Sequence, residues 1–203
     1  MVNDVRAAYS ARAAEYAELF DSMSAVHRAD LELVTRWADG LDGPVLDAGC
    51  GPGHWTDFLA GRGLQARGVD QVPEFVDHAR ARHPGVPFRL GSVDELDEAT
   101  GSVGGVLAWY SLIHHEPVHV QVPLREFARV LRPGGSLLLG CFEWPELEPF
   151  DHAVVTAYRW PIDRLRREVQ ATGFDVIETH TRAEDGTRPQ AAIVARRTGG
   201  AHP

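Results

Sequence analysis

Lysine is missing from the 203-residue chain, in which all 20 basic side chains are Arg. Schiff-base formation, a lysine nucleophile and a P-loop phosphate site are thereby excluded, because a guanidinium stays charged and offers no free amine. Asn occurs once, at Asn3, and Ile four times; with the missing Lys, this is the bias of a GC-rich coding sequence. Basic charge is also short. The 29 acidic residues leave a formal charge of −9, which argues against a phosphate-tracking surface and so against nucleic acid as partner. Cysteine is scarce, and Cys50 and Cys141 stand too far apart in the chain for a disulfide framework or a zinc spacing. No apolar run approaches the roughly 18 residues that span a bilayer, and no signal-type segment is visible at the start. The expectation is a reduced, cytoplasmic setting with no membrane partner.

Apolar residues make up 44% and charged residues 24% of the chain, the proportions of a globular protein of one domain with a short appendage. Residues 1–40 read as an N-terminal helical cap, with helices over 4–20 and 24–39 that divide near residues 21–24. Leu31, Leu33, Val34 and Trp37 are the apolar anchors of the second. Residues 41–198 form the main domain. Short apolar runs at 44–48, 65–69, 87–90, 106–110 and 136–141 read as strands, separated by helical patterns at 54–60, 73–82 and 122–131. Such alternation predicts an α/β fold, a parallel sheet covered on both faces. Pro87 makes its strand an edge, where a missing N–H costs no ladder bond. Residues 143–160, rich in Pro, Glu and aromatics, read as a lid-like insertion. A helix over 161–172 begins at Pro161 and stops at Gly173. Strands at 174–181 and 190–196 pair as an antiparallel hairpin, and 199–203 form a frayed tail.

The turn Asp47-Ala48-Gly49-Cys50-Gly51-Pro52-Gly53 follows a strand and opens a helix, where glycines let a ligand approach helix N-terminal N–H groups. A glycine-rich turn can also be plain architecture. The dinucleotide fingerprint needs a third Gly at position 54, which is His54. Asp47 would repel a pyrophosphate and suits a cationic ligand such as an amino-acid sulfonium. Asp70, at the end of the next strand, is placed for a ribose diol, which either kind of cofactor carries.

Together, Asp47–Gly53, Gly68-Val69-Asp70 and Val130-Leu131-Arg132-Pro133-Gly134-Gly135 resemble the successive motifs of class I S-adenosylmethionine-dependent methyltransferases. The resemblance is strong over residues 43–143. It implies a doubly wound, Rossmann-like, seven-stranded and mostly parallel sheet with an antiparallel last strand, and S-adenosylmethionine as cofactor with S-adenosylhomocysteine as product. It also implies that Asp47 and the turn at Gly49, Gly51 and Gly53 face the methionyl and ribose parts, with Trp55 and Trp109 beside the methionyl group. Asp70 would take the ribose hydroxyls and Gln71 and Val72 would flank the adenine. The family's acid for the adenine amino group falls here on Ser92, next to Val93, with Asp94 two residues on; either Ser92 or Asp94 serves. Where the family often has Phe-Asp before the fourth strand, this chain has Gly104-Gly105, a structural departure.

Methyl transfer asks mainly for alignment and exclusion of water, and for a general base only when the acceptor must lose a proton. The segment Ala108-Trp109-Tyr110-Ser111-Leu112-Ile113-His114-His115 leaves the fourth strand. Many small-molecule members of the resembling family carry a His pair there, so His114 and then His115 are the candidate bases. Both are equally suited to capping the next helix. Tyr110, His152, Tyr158 and Trp160 are candidate acceptor contacts. Tyr9 and Tyr16 resemble the family's N-terminal helix, which often closes over the cofactor carboxylate, and Arg28 would do the same by charge. His115 and His119 are four apart, but Pro117 between them breaks the helix a metal site would need. The expected function is methyl transfer to oxygen or nitrogen of a small-molecule acceptor, by a monomer or homodimer, without metal. The alternatives are a non-catalytic S-adenosylmethionine-binding protein and a nicotinamide-dependent oxidoreductase.

Overall fold

The computed structural model describes residues 2–13, 15, 16 and 22–199. Residues 14 and 17–20 of the expected first helix, Asp21 of the expected break and 200–203 of the expected tail lie outside the described residues. Helix α1 (Val2–Ser10) and helix α2 (Arg28–Asp39) precede the sheet, with a single 3-10 turn at Met23–Ala25 between them. The ring of His27 caps α2 by accepting from the Ala29 N–H, and Leu33, Val34, Trp37 and Ala38 form its buried face.

The expected strands are present as β1 (Val45–Ala48), β2 (Ala66–Asp70), β3 (Phe88–Leu90), β4 (Val103–Trp109) and β5 (Leu131–Glu143). Helices α3 (His54–Gly61), α4 (Pro73–Arg82) and α5 (Gln121–Val130) connect them. After β5 come β6 (Glu148–Phe150), β7 (Ala157–Trp160), α6 (Ile162–Ala171), β8 (Phe174–Arg182) and β9 (Gln190–Arg197). The sheet runs β3-β2-β1-β4-β5, then through antiparallel β9 to β8. Phe88–Leu90 is an edge strand, and Pro87 lies just outside it with its carbonyl accepting from Gly68.

The central strands β1 and β4 are buried nearly throughout, and successive side chains go to opposite faces of the sheet. Val106, Ala108, Leu137, Leu139 and Ile193 pack with Leu124 and Phe127 of α5 and Leu165 and Val169 of α6. Leu107, Leu138 and Ala192 face the other way, against Val34 and Trp37 of α2 and Trp55 and Leu59 of α3. Both faces are covered, as the pattern of apolar runs predicts. Among the described residues no helix is long and apolar enough to cross a membrane.

Residues 143–160, the expected lid-like insertion, contain regular structure. β6 and β7 form an antiparallel hairpin, and β7 pairs in parallel with the last two residues of β5, Phe142 and Glu143. β4 stops at Trp109 opposite Gly140, so β5 outruns it and leaves that edge free for β7. β9 occupies the opposite edge of β5 as far as Phe142. The hairpin therefore continues the sheet beyond the end of β4, and the Tyr158 N–H donates to the Ile113 carbonyl at 2.7 Å.

The Gly104-Gly105 departure has a steric cause. The loop before β1 crosses β4 here, and the Gly104 N–H donates to the Pro44 carbonyl at 2.8 Å. A Cβ at position 104 would lie 1.8 Å from the Asp42 carbonyl oxygen, a backbone atom with no rotamer to yield. Gly104→Ala is expected to destabilise the fold by about 1–3 kcal/mol or more. Thermal unfolding followed by circular dichroism should show a drop in Tm of roughly 3–10 °C.

Candidate active site

The chain runs outward from β1 through β2 to the edge strand β3, then returns to place β4 on the other side of β1. Ligands of open α/β sheets bind at that reversal, beyond the C-terminal strand ends. A cavity of about 1070 Å³ opens there.

Its cofactor-side wall is the turn after β1. Asp70, at the end of β2, accepts from the Gly51 N–H at 2.8 Å and from the Val72 N–H at 2.9 Å. One carboxylate thus ties the turn to β2 and to the start of α4. Gly51 has φ 54, and the space before its missing Cβ is open into the cavity. Asp47 is 2% exposed and accepts from the Thr56 hydroxyl at 2.7 Å. Burial pushes its pKa up to about 7, against the lowering effect of Thr56 and with a smaller push from Asp70. Burial also raises Asp70, opposed by its backbone N–H donors. Burial holds the Cys50 thiol in the same turn well above its ordinary value, so it stays protonated and unreactive.

Two buried carboxyl groups with lone pairs beyond those their donors use, and an open glycine edge, suit a ligand carrying a cationic amino-acid part and a ribose diol. The Ser111 hydroxyl adds a third feature, being buried beside this turn with no hydrogen-bond partner. Gln71, Ser92, Val93, Trp55 and Trp109 line the same cavity, as do Gly49 and Tyr110. These residues fit the donor set that S-adenosylmethionine requires. Tyr110 has φ 57, a left-handed conformation that costs a non-glycine residue about 1–2 kcal/mol. That bend lays its ring across Trp109 and Phe142.

Several expected residues sit elsewhere. Gly53 does not line the cavity; it caps α3, and the Phe88 ring and Ala79 fill the space beside it. Tyr158 packs against the main core and Trp160 is buried within it, because β7 faces them into the sheet interior. Arg28 points to solvent and pairs with Glu32. Among the described residues no group of three or more His, Cys, Asp or Glu is placed to hold a metal ion.

At the acceptor end, His114 and His115 have distinct partners. His114 Nδ1 lies 2.9 Å from the Thr156 carbonyl, which only accepts, so this nitrogen carries the hydrogen. Nε2 then holds the lone pair and accepts from the Tyr9 hydroxyl at 2.9 Å. Burial lowers the His114 pKa and keeps the ring neutral, with the Thr156 carbonyl acting in the opposite sense. His115 Nε2 donates to Asp94 at 2.9 Å, and its Nδ1 is buried without a partner. Ser92 meanwhile accepts from the Asp94 N–H. His152 stacks edge-on against His114 at 5.2 Å. Burial, then His114, Arg188 and Arg12, push its pKa down to about 4. Phe142 and Arg188 also line this end, and no local sequence motif marks either.

Residues 45–135 match the family model described as "Methyltransferase domain". The chain is 39% identical over 95 residues to a probable S-adenosylmethionine-dependent methyltransferase of Mycolicibacterium smegmatis, a match covering 47% of this chain and 36% of that one. It is 34% identical over 122 residues to the ubiquinone biosynthesis O-methyltransferase of Xanthomonas oryzae pv. oryzae, covering 58% and 50%. The chain thus spans at most half the length of these curated relatives. In fold it is similar to the 1,6-didemethyltoxoflavin-N1-methyltransferase of Burkholderia thailandensis, with TM-score 0.80 at 22% identity over 97% of this chain and 88% of that one. That crystal structure holds 1,6-didemethyltoxoflavin and S-adenosylhomocysteine.

Because the folded pKa of Asp47 lies above its unfolded value of 3.8, the folded state holds a proton that the unfolded state has already released. Ligand-free stability therefore falls as pH rises between about 4 and 7 and levels off above. Asp47→Asn is expected to flatten this dependence, read as a smaller loss of Tm between pH 5 and pH 8 than in the wild type.

Proposed function

We propose that residues 45–135, which match the methyltransferase-domain model, act as a class I S-adenosylmethionine-dependent methyltransferase domain, and that the chain transfers the methyl of S-adenosylmethionine to oxygen or nitrogen of a small-molecule acceptor. The observation that carries this reading is a single cavity that joins the Asp70-pinned turn to His114. Asp47, Gly49, Gly51, Trp55, Asp70, Gln71, Ser92, Val93 and Trp109 are the residues that would hold the cofactor. When bound, it supplies an electrophilic methyl on a sulfonium and leaves as S-adenosylhomocysteine.

The chain's own residues do the rest. Buried apolar and aromatic walls exclude water, so little solvent reorganisation opposes the displacement. Carboxylates at one end of the cavity favour a cationic ligand over a nucleotide phosphate. At the other end, His114 is held in one tautomer by Thr156, with its acceptor nitrogen turned to Tyr9. The Tyr9 hydroxyl oxygen keeps lone pairs for an acceptor proton while its own proton is shared with Nε2. Tyr9 and His114 together thus form the path by which an acceptor O–H or N–H loses its proton. His115, oriented by Asp94, is a second group of the same kind. A cavity of about 1070 Å³ is of a size to house a cofactor with a small acceptor. The net charge of −9 supports a small molecule over a polyanion.

S-adenosylhomocysteine is expected to raise the Tm of the wild type, and Asp70→Ala to weaken its binding by about 10-fold or more in calorimetry. Absence of any such stabilisation at millimolar ligand would defeat the reading. His114→Ala is expected to lower kcat by about 100-fold on an acceptor that must lose a proton, with S-adenosylhomocysteine affinity unchanged. In the wild type, the acidic limb of kcat should lie below the ordinary histidine value, because burial keeps His114 neutral there.

A further inference from the structure

The acceptor end of the cavity has a chemistry of its own. Tyr110 and Phe142 line it, with ring centroids 5.1 Å apart. Behind them the aromatic wall continues from Phe142 to Phe150 at 5.3 Å. His114 and His152 face the same space, both with pKa values lowered by burial and so neutral near pH 7. These ring faces are flat and uncharged and match a flat ring; of the acidic residues that line the same cavity, Asp30 and Glu184 pair with Arg182, Glu15 with Arg12 and Asp94 with His115.

Three arginines line the cavity: Arg12, Arg182 and Arg188. Arg12 pairs with Glu15, and Arg182 with Asp30 and Glu184. Among the described residues Arg188 has no carboxylate partner; its guanidinium instead lies 5.1 Å from the Phe150 ring centroid. Arg188 sits in the connection between β8 and β9, at the mouth of the aromatic wall. Its charge is felt inside, since Arg188 helps to hold the His152 ring neutral. A guanidinium oriented by an aromatic face has lost much of its rotational freedom and presents its planar donors to a carboxylate. The carboxylates on the cofactor side, Asp47 and Asp70, would repel such a group, which leaves only one orientation for a ligand with an acidic end.

Resting on the methyltransferase reading above, we propose that the acceptor is a planar aromatic hydroxy acid. Its ring lies against Tyr110 and Phe142, its carboxylate meets Arg188, and its hydroxyl reaches Tyr9 and His114. In the transfer, the acceptor O–H bond breaks as the O–CH3 bond forms. The proton passes to His114 Nε2 through the Tyr9 hydroxyl, and the electron pair of the broken methyl–sulfur bond stays on sulfur. The products are a methyl ether of the acid, S-adenosylhomocysteine and a proton held by His114. Arg188 makes no contact with the reacting atoms and acts on specificity.

Calorimetry on protein saturated with S-adenosylhomocysteine tests this, using hydroxybenzoates and hydroxynaphthoates, each beside its own methyl ester. The acids are expected to bind at least about 10-fold more tightly than the esters, a difference that one charge-assisted contact supplies. Arg188→Gln should erase that preference, while S-adenosylhomocysteine still raises its Tm, certifying the fold. Turnover with labelled cofactor should yield methyl ethers. Equal binding of acids and esters, binding of no acid, an unchanged preference in Arg188→Gln, or a methyl ester as product would each overturn the assignment and leave the methyltransferase reading standing. Failure of S-adenosylhomocysteine to raise the wild-type Tm would overturn both.

Discussion

The carboxylate of Asp70 holds the site together. It is nearly buried, and a bare carboxylate there would be costly, so it persists because the Gly51 and Val72 N–H groups reach it. Those two bonds join the turn after β1, the end of β2 and the residue before α4, and they add to the Gly49 and Cys50 N–H groups that donate to the Val69 carbonyl. Were the turn to lift from Asp70, the open edge at Gly51 and the buried Asp47 would lose their relation to the cavity. The same bonds leave Asp70 lone pairs unspent, which is what a ribose diol would use.

Around that anchor the lining of the cavity changes along its length. Asp47 and Asp70 put two buried carboxyl groups beside the turn after β1, whereas Arg188 and the neutral rings of His114 and His152 line the part of the cavity beside Phe142. The surroundings of His114 are built from distant chain segments. Thr156, in the connection between β6 and β7, fixes the tautomer, and Tyr9, in α1, occupies the free nitrogen. The N-terminal helix therefore reaches the cavity through Tyr9.

Legibility in the sequence follows how local each feature is. The strand-turn-helix junction at Asp47–Gly53, Asp70 and the edge position of Pro87 depend on neighbours in the chain and were readable from it. Gly53 was grouped with the ligand-facing glycines because spacing does not say which way a missing side chain would point; Phe88 and Ala79 answer that. Tyr158 was expected in the acceptor pocket because its segment follows β5, but pairing of β7 with β5 turns the ring to the core. The lid-like stretch itself became a hairpin for want of a competitor, since β4 ends early and leaves an edge of β5 unpaired.

From the sequence alone came the class of fold, the cofactor turn and the exclusion of lysine chemistry, all of which rest on residue type and short-range periodicity. The tertiary structure decided which histidine nitrogen carries the lone pair, since Tyr9 and His114 are 105 positions apart and no pattern links them. It also decided that, among the described residues, Arg188 has no carboxylate partner while Arg12 and Arg182 do, because ion pairing depends on which carboxylates the folded chain brings within reach. The composition without lysine thus limited the chemistry, and the packing of distant elements selected the residues that perform it.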